Sequence, residues 1–209
     1  MRLLFGLMLL GVMALVGGWS YQVYDASRQA VPLELLTSHV FENPRDITDF
    51  ELQDQDGNAF GPAQLQGQWS LVFLGYTSCP DVCPTTMAKL AAAYDDLKRI
   101  APLQIVFLSV DPSRDSLNKL KDYRNFFHPE IVAVTGEHQQ LYPLTQALGM
   151  VYAMVGSGDD YLVDHSASLV LLNPQGQRYA VFKPQPSING LGQMTRQQLI
   201  SDFATLTHH

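Results

Sequence analysis

The sequence predicts a three-layer α/β/α domain built on a mixed sheet, and three observations carry that prediction. Residues 69–76 and 103–110 are nearly continuous apolar runs, the pattern of strands buried on both faces. Between them Met87, Leu90, Ala91, Tyr94, Leu97 and Ile100 recur at helical spacing, making a strand, helix, strand unit whose strands run parallel with a right-handed crossover. Later, residues 167–172 and 177–182 flank Asn173-Pro174-Gln175-Gly176, a hairpin turn that adds antiparallel strands. A chain of 209 residues, 46% hydrophobic, has length for one core of ordinary size.

Taken in order, residues 3–23 carry no charge and run out at Tyr21 and Tyr24, whose amphipathic rings favour a membrane interface. A helix of about 22 residues rising 1.5 Å each spans ~33 Å, enough for a bilayer core. Residues 1–24 are therefore read as one N-terminal transmembrane helix. The alternative is a cleaved signal peptide, with Arg2 as its basic start and Val16-Gly17-Gly18 as its cleavage site, although the run exceeds the ~7–15 apolar residues usual there. Either way the bulk is exported. The expected place is a bacterial inner membrane, crossed once, with the soluble domain in the periplasm, since no long Arg- and Ser-rich leader is present.

Residues 25–45 mix Ser, Gln, Pro and Asn with no sustained period and read as a tether, leaving 46–209 as the domain. Residues 48–52 alternate, Asp54-Gln55-Asp56-Gly57 has turn chemistry, and 58–60 complete a small hairpin. Asp115 or Ser116 caps a helix running to Phe127, 131–135 is a short strand, and 137–148 is a helix stopped by Gly149. Residues 150–155 form a strand, 156–160 a flexible connection, and Thr195 caps a last helix ending near Leu206.

Charge and cysteine content exclude several classes of function. Beyond Arg2 and the apolar segment, the remaining 185 residues hold 12 basic and 20 acidic side chains, a net charge of −8, which argues against nucleic acid or anionic lipid as a partner of the domain. Two cysteines, Cys79 and Cys83, are too few for a multi-disulfide scaffold or a zinc module of three or four thiolates. They follow a buried strand and precede a helix, the edge at which open α/β sheets place ligands. The helix N-terminus favours thiolate, which is both the nucleophile and the metal ligand. Pro80 and Pro84 are alternative first residues of that helix. An inert disulfide is the bland reading of the pair, but it would close a loop of a few residues and stabilise little.

Cys79-Pro80-Asp81-Val82-Cys83-Pro84, Ser109-Val110-Asp111-Pro112-Ser113-Arg114-Asp115 and Tyr161-Leu162-Val163-Asp164-His165 follow one another along the chain. Together these three segments resemble the Sco/SenC copper-chaperone family. The likeness covers roughly residues 45–206 and implies a thioredoxin-like fold. It implies that Cys79, Cys83 and His165 bind copper, and that the protein helps assemble the dinuclear copper (CuA) centre of cytochrome c oxidase. The implied partners are the copper-bearing oxidase subunit and either another periplasmic copper chaperone or a thioredoxin-like reductant. One departure is that only Asp159 and Asp160 stand where some relatives carry a strongly acidic run. The donor set agrees with the resemblance: two thiolates and an imidazole suit Cu(I) and can hold Cu(II), whereas structural zinc wants a fourth protein ligand.

The expected role is thus carriage of copper more than catalysis. The rival is a thiol–disulfide oxidoreductase acting through the redox pair Cys79 and Cys83, which has no need of His165; peroxidase-like thiol chemistry is a weaker third reading. Asp111 ends a strand on the cysteine edge and serves either the site or only its turn. Asp164 neighbours His165, but adjacent residues of an extended chain point apart. Met150 and Met154 read as core residues. His39, His128 and His138 read as surface residues, and His208-His209 as a terminus able to bind metal adventitiously. The charges between Lys89 and Lys98 read as a solvated helix face.

Overall fold

The computed structural model describes residues 17–18, 35–47, 49–158, 160–184 and 194–208. The chain forms two units, Met1–Glu34 and Leu35–His209. Among the described residues no helix is long and apolar enough to cross a membrane. The anchor expected over 1–24 lies outside them except for Gly17 and Gly18, which are helical.

The centre of the second unit is the pair of apolar runs. Strand β4 (Trp69–Gly75) is buried at every position but Trp69, and β5 (Leu103–Ser109) at every position. They pair parallel and in step, from Trp69 with Leu103 to Gly75 with Ser109, so both leave the sheet at one edge. The crossover between them is α1 (Val82–Ile100), whose Met87, Leu90, Tyr94 and Leu97 are buried as the spacing predicted. The next crossover, α2 (Leu117–Phe127), leads to β6 (Val132–Thr135), parallel to β5. After it, α3 (His138–Leu148) ends on Gly149 in the left-handed conformation, φ 73°.

The antiparallel additions complete an eight-stranded sheet. Strand β9 (Leu169–Leu172) pairs antiparallel with β4, and β10 (Gln177–Phe182) with β9, across the hairpin turn read from Asn173 to Gly176. On the far side β2 (Leu52–Asp54) and β3 (Ala59–Phe60) form the small hairpin, β2 pairing with β6. Counting β1 (Ser38–Asp46), the order is β1-β10-β9-β4-β5-β6-β2-β3. Val72, Val106, Leu108, Val134 and Leu172 gather on one face with Leu144 and Leu148 of α3. Both parallel crossovers lie on the other face, where α1 also meets α4 (Arg196–Thr207). These are the three layers the sequence predicts.

Two elements depart from the sequence reading. Part of the segment read as tether is β1, paired with β10 from Ser38 opposite Phe182 to Asp46 opposite Gln177 with a bulge between, so the folded unit begins before residue 46. The reason it left no period is that most of its side chains are exposed, and an edge strand is held by backbone pairing. The second is β8 (Leu162–His165), which pairs with β7 (Tyr152–Val155) as a separate two-stranded sheet.

One buried charge closes the domain. Asp202 lies in the apolar stripe of α4 with Leu199, Phe203 and Leu206. Its carboxylate accepts the backbone N–H groups of Leu36, Thr37 and Ser38 at 2.7, 2.7 and 2.8 Å, and the hydroxyls of Thr37 and Ser38 at 3.0 and 2.8 Å. The start of β1 is thereby bound to the last helix.

Candidate metal centre

Register explains why three distant residues meet. Strand β4 leaves the sheet at Gly75, and antiparallel β9 enters at the same edge, Leu169 lying opposite Phe73. The residues just before β9, ending β8 at His165, therefore face the loop that carries Cys79. His165 Nε2 lies 3.3 Å from Cys83 Sγ across 82 residues of sequence. The ligand atoms of Cys79, Cys83 and His165 all lie within 4.8 Å of one another, and among the described residues no other group of three His, Cys, Asp or Glu has that closeness. Metal bonds to nitrogen and sulfur run about 2.0–2.3 Å, so an ion between these atoms needs only small side-chain adjustments.

The helix begins at neither proline. Val82 is its first residue and Asp81 its N-cap, which puts Cys83 second and Pro84 third. A proline there removes no helical bond, because the first N–H groups of a helix have no partner within it. Cys79 stays in the preceding loop, half-buried, its N–H donating to the Tyr76 carbonyl at 3.3 Å. Cys83 is fully buried, and both thiols are free.

Burial decides the charge state of the pair. The helix terminus was expected to favour thiolate, yet desolvation pushes the Cys83 thiol far above its ordinary range; nearby Cys79 adds to this and a backbone hydrogen bond from Tyr76 only opposes it. The imidazole of His165 is likewise pushed below its ordinary value by burial, against the opposing pull of Ser166 and the charge of Asp164. Burial thus favours the neutral form of both the Cys83 thiol and the His165 imidazole. His165 Nδ1 is 3.1 Å from the Ser166 carbonyl, which can only accept, so the proton is on Nδ1 and the lone pair of Nε2 faces the sulfur.

Gly75 packs directly against the Cys83 thiol. A Cβ there would lie 2.9 Å from Cys83 Sγ and 2.8 Å from Phe107 Cε2, so only glycine leaves room. Gly75→Ala is expected to cost about 1–3 kcal/mol and to displace the sulfur. Thermal melting and metal titration of the full chain check this; unchanged values in both would show that the contact constrains nothing.

The two acids after β5 have different tasks. Asp111, left open by the sequence, is fully buried, accepting the Tyr161 hydroxyl at 2.5 Å and Arg114 Nε at 2.6 Å. Asp115 does not cap α2; Ser116 does, accepting from the Lys119 N–H. Asp115 instead turns inward to take the Thr77 N–H at 2.9 Å, the Thr77 hydroxyl at 2.5 Å and the Ser109 hydroxyl at 2.7 Å, pinning the loop before Cys79. Sequence reasoning missed that role of Asp115 and the crowding at Gly75; a buried-acid partner for Thr77 has no sequence signature.

Other residues divide. Asp164 is exposed on the outward face of β8. Met150 is core, as expected, but Met154 is 37% exposed, because β7 borders only β8 and is not covered as a sheet strand would be. His39 and His208 are exposed, and His209 lies outside the described residues. His128 and His138 are half-buried instead: His128 stacks on Tyr94 at 4.2 Å, and His138 Nδ1 is 2.9 Å from the Tyr152 hydroxyl. On the helix face after Lys89, Asp96 pairs with Arg99 and with Arg196 of α4, so it is less solvated than its pattern predicts.

Comparison with known proteins places this architecture. The SCO1/SenC family model matches residues 41–199. The SCO2-like protein of Rickettsia felis is 39% identical over 133 residues, 62% of this chain and 65% of its own length, so the match spans just under two thirds of that relative. Among solved structures, Arabidopsis thaliana ScoI with copper bound aligns with TM-score 0.68 and 28% identity over 79% of this chain and 97% of its own. Yeast Sco1 with copper bound aligns with TM-score 0.66 and 29% identity, covering 79% and 90%. The mixed sheet and its helices are the thioredoxin-like fold that the motifs implied, and the chain belongs to the SCO1/SenC family.

Proposed function

We propose that this chain binds one copper ion through Cys79, Cys83 and His165 and hands it to the CuA-bearing subunit of cytochrome c oxidase, from a bacterial inner-membrane anchor with the domain in the periplasm. The observation that carries this reading is the cluster itself: Nε2 of His165 lies 3.3 Å from Cys83 Sγ, and the ligand atoms of Cys79, Cys83 and His165 all lie within 4.8 Å of one another. The copper held by Arabidopsis ScoI and yeast Sco1 supports it. Two sulfurs and one nitrogen are soft donors that suit Cu(I). Loading displaces the proton of each thiol, and unloading proceeds as the acceptor's ligands replace these one at a time. A carrier of this kind is no enzyme, and copper is its cargo.

A second reading has its own observation: Cys79 is half-buried while Cys83 is fully buried, the asymmetry of a dithiol whose outer sulfur attacks a substrate disulfide. Such a protein would keep the oxidase cysteines reduced and would not need His165. The full chain carrying His165→Ala separates the two. Its copper affinity is expected to fall by at least the ~10–100-fold seen when even an outer partner of a metal ligand is lost. In cells lacking the wild-type gene it should fail to restore the oxidase under copper limitation while Cys79 and Cys83 still cycle between dithiol and disulfide. Full rescue would transfer the essential role to the reductase reading.

A further inference from the structure

We infer that Arg114 and Tyr161, locked on Asp111, are positioning residues that set the distance between His165 and the two thiols. The inference rests on the copper reading above. His165 ends β8, and among the described residues β8 pairs only with β7, in a two-stranded sheet that shares no ladder with the main one. Cys79 lies in the loop that follows β4, and Cys83 lies in α1. The β9–β4 register brings His165 to the cysteine edge, but among the described residues no sheet hydrogen bonds join β8 itself to the main sheet, so side chains complete the placement of the imidazole.

At the far end of the hairpin, Tyr152, directly opposite His165, stacks on Tyr142 of α3 at 4.6 Å between ring centroids. At the start of β8 the tie is polar and closed on itself. Asp111, fully buried, holds the Tyr161 hydroxyl at 2.5 Å and Arg114 Nε at 2.6 Å. Arg114 donates from Nη1 to the Tyr161 carbonyl at 2.9 Å, and its guanidinium lies 3.7 Å from the Tyr161 ring centroid. The same guanidinium lies 5.5 Å from the ring of Tyr76, on the cysteine loop, and the Tyr76 ring meets His165 edge-on at 6.1 Å. One planar cation is thus clamped between the segment that carries the imidazole and the segment that carries the thiols. A guanidinium can do this because it donates in fixed directions and stacks at the same time, which an ammonium cannot.

A clamp that acts through His165 has nothing to act on once His165 is gone, and the test is a double-mutant cycle on the full chain. Copper(I) affinity is read by competition with a chelator, and the thiolate-to-copper(II) absorption band serves as a readout that overall stability does not move. In the wild-type background Arg114→Gln is expected to lower affinity by about 10–100-fold and to move the band toward that of His165→Ala. In the His165→Ala background Arg114→Gln should change neither. Arg114→Lys keeps the charge without the fork and should resemble Arg114→Gln. Should Arg114→Gln fail to fold, Tyr161→Phe removes a single oxygen, keeps the stacked ring, and is expected to show a smaller loss with the same dependence on His165. Equal losses in both backgrounds, or wild-type affinity and band in Arg114→Gln, would overturn the clamp. If His165→Ala itself leaves affinity unchanged, the copper reading fails first and the clamp with it.

Discussion

Full-length chain carrying Cys83→Ser is expected to lose stoichiometric copper, and Cys79→Ser likewise. Serine is close to isosteric but offers a hard hydroxyl in place of a soft thiolate, and soft ligands are what hold Cu(I). Cys83 is the more demanding position, since it is fully buried with its sulfur against Gly75 and His165. The loss should exceed that of His165→Ala and leave about one copper per chain only in the wild type, measured as metal retained under a competing chelator. Stoichiometric copper in either variant would place the site elsewhere. The raised Cys83 pKa adds a pH signature: metal must displace a tightly held proton, so wild-type affinity should climb as pH rises.

The second large effect is on stability. Asp202→Ala leaves the N–H groups of Leu36, Thr37 and Ser38 and two hydroxyls without the carboxylate that accepts them. Orphaning buried donors of a charged acceptor costs about 3 kcal/mol, which for a domain of this size lowers Tm by roughly 6–12 °C. Burial alone would raise the Asp202 pKa, but the donated hydrogen bonds outweigh it and hold the carboxyl below its ordinary value. The sign follows: a depressed folded-state pKa contributes stability that is whole above the unfolded-chain value of about 3.9 and is lost as pH falls through the folded one. Wild type should therefore shed this contribution only in acid below about pH 4, while Asp202→Ala lacks it at every pH. Melting curves across that range check both statements. An unchanged Tm at neutral pH would mean that the start of β1 is not secured by this carboxylate.

The same contrast separates what could be read along the chain from what could not. Strands β4 and β5 were legible because burial on both faces leaves an unbroken apolar run, and α1 because its buried stripe repeats at helical spacing. The turn at Asn173 to Gly176 was legible because its chemistry is local. Strand β1 was not: its partners are backbone groups of β10 and the side chain of Asp202, more than 130 residues away, and neither leaves a mark on its own side chains. Strand β8 escaped for a related reason, being short, with Leu162 and Asp164 exposed on one face and Val163 buried on the other.

By itself the sequence determined the layered mixed sheet, the pairing of Cys79 with Cys83 at a strand's carboxyl edge, and, through its three motifs, the family. Tertiary structure alone decided that burial raises the Cys83 pKa despite the helix terminus behind it, because desolvation depends on how many atoms surround the sulfur and not on which residues precede it. It alone assigned Asp115 to the loop at Thr77 and Asp111 to Arg114 and Tyr161. The motifs implied His165 as the third ligand, and strand order and register, which are properties of the whole sheet, are what carry it to the sulfurs across 82 residues.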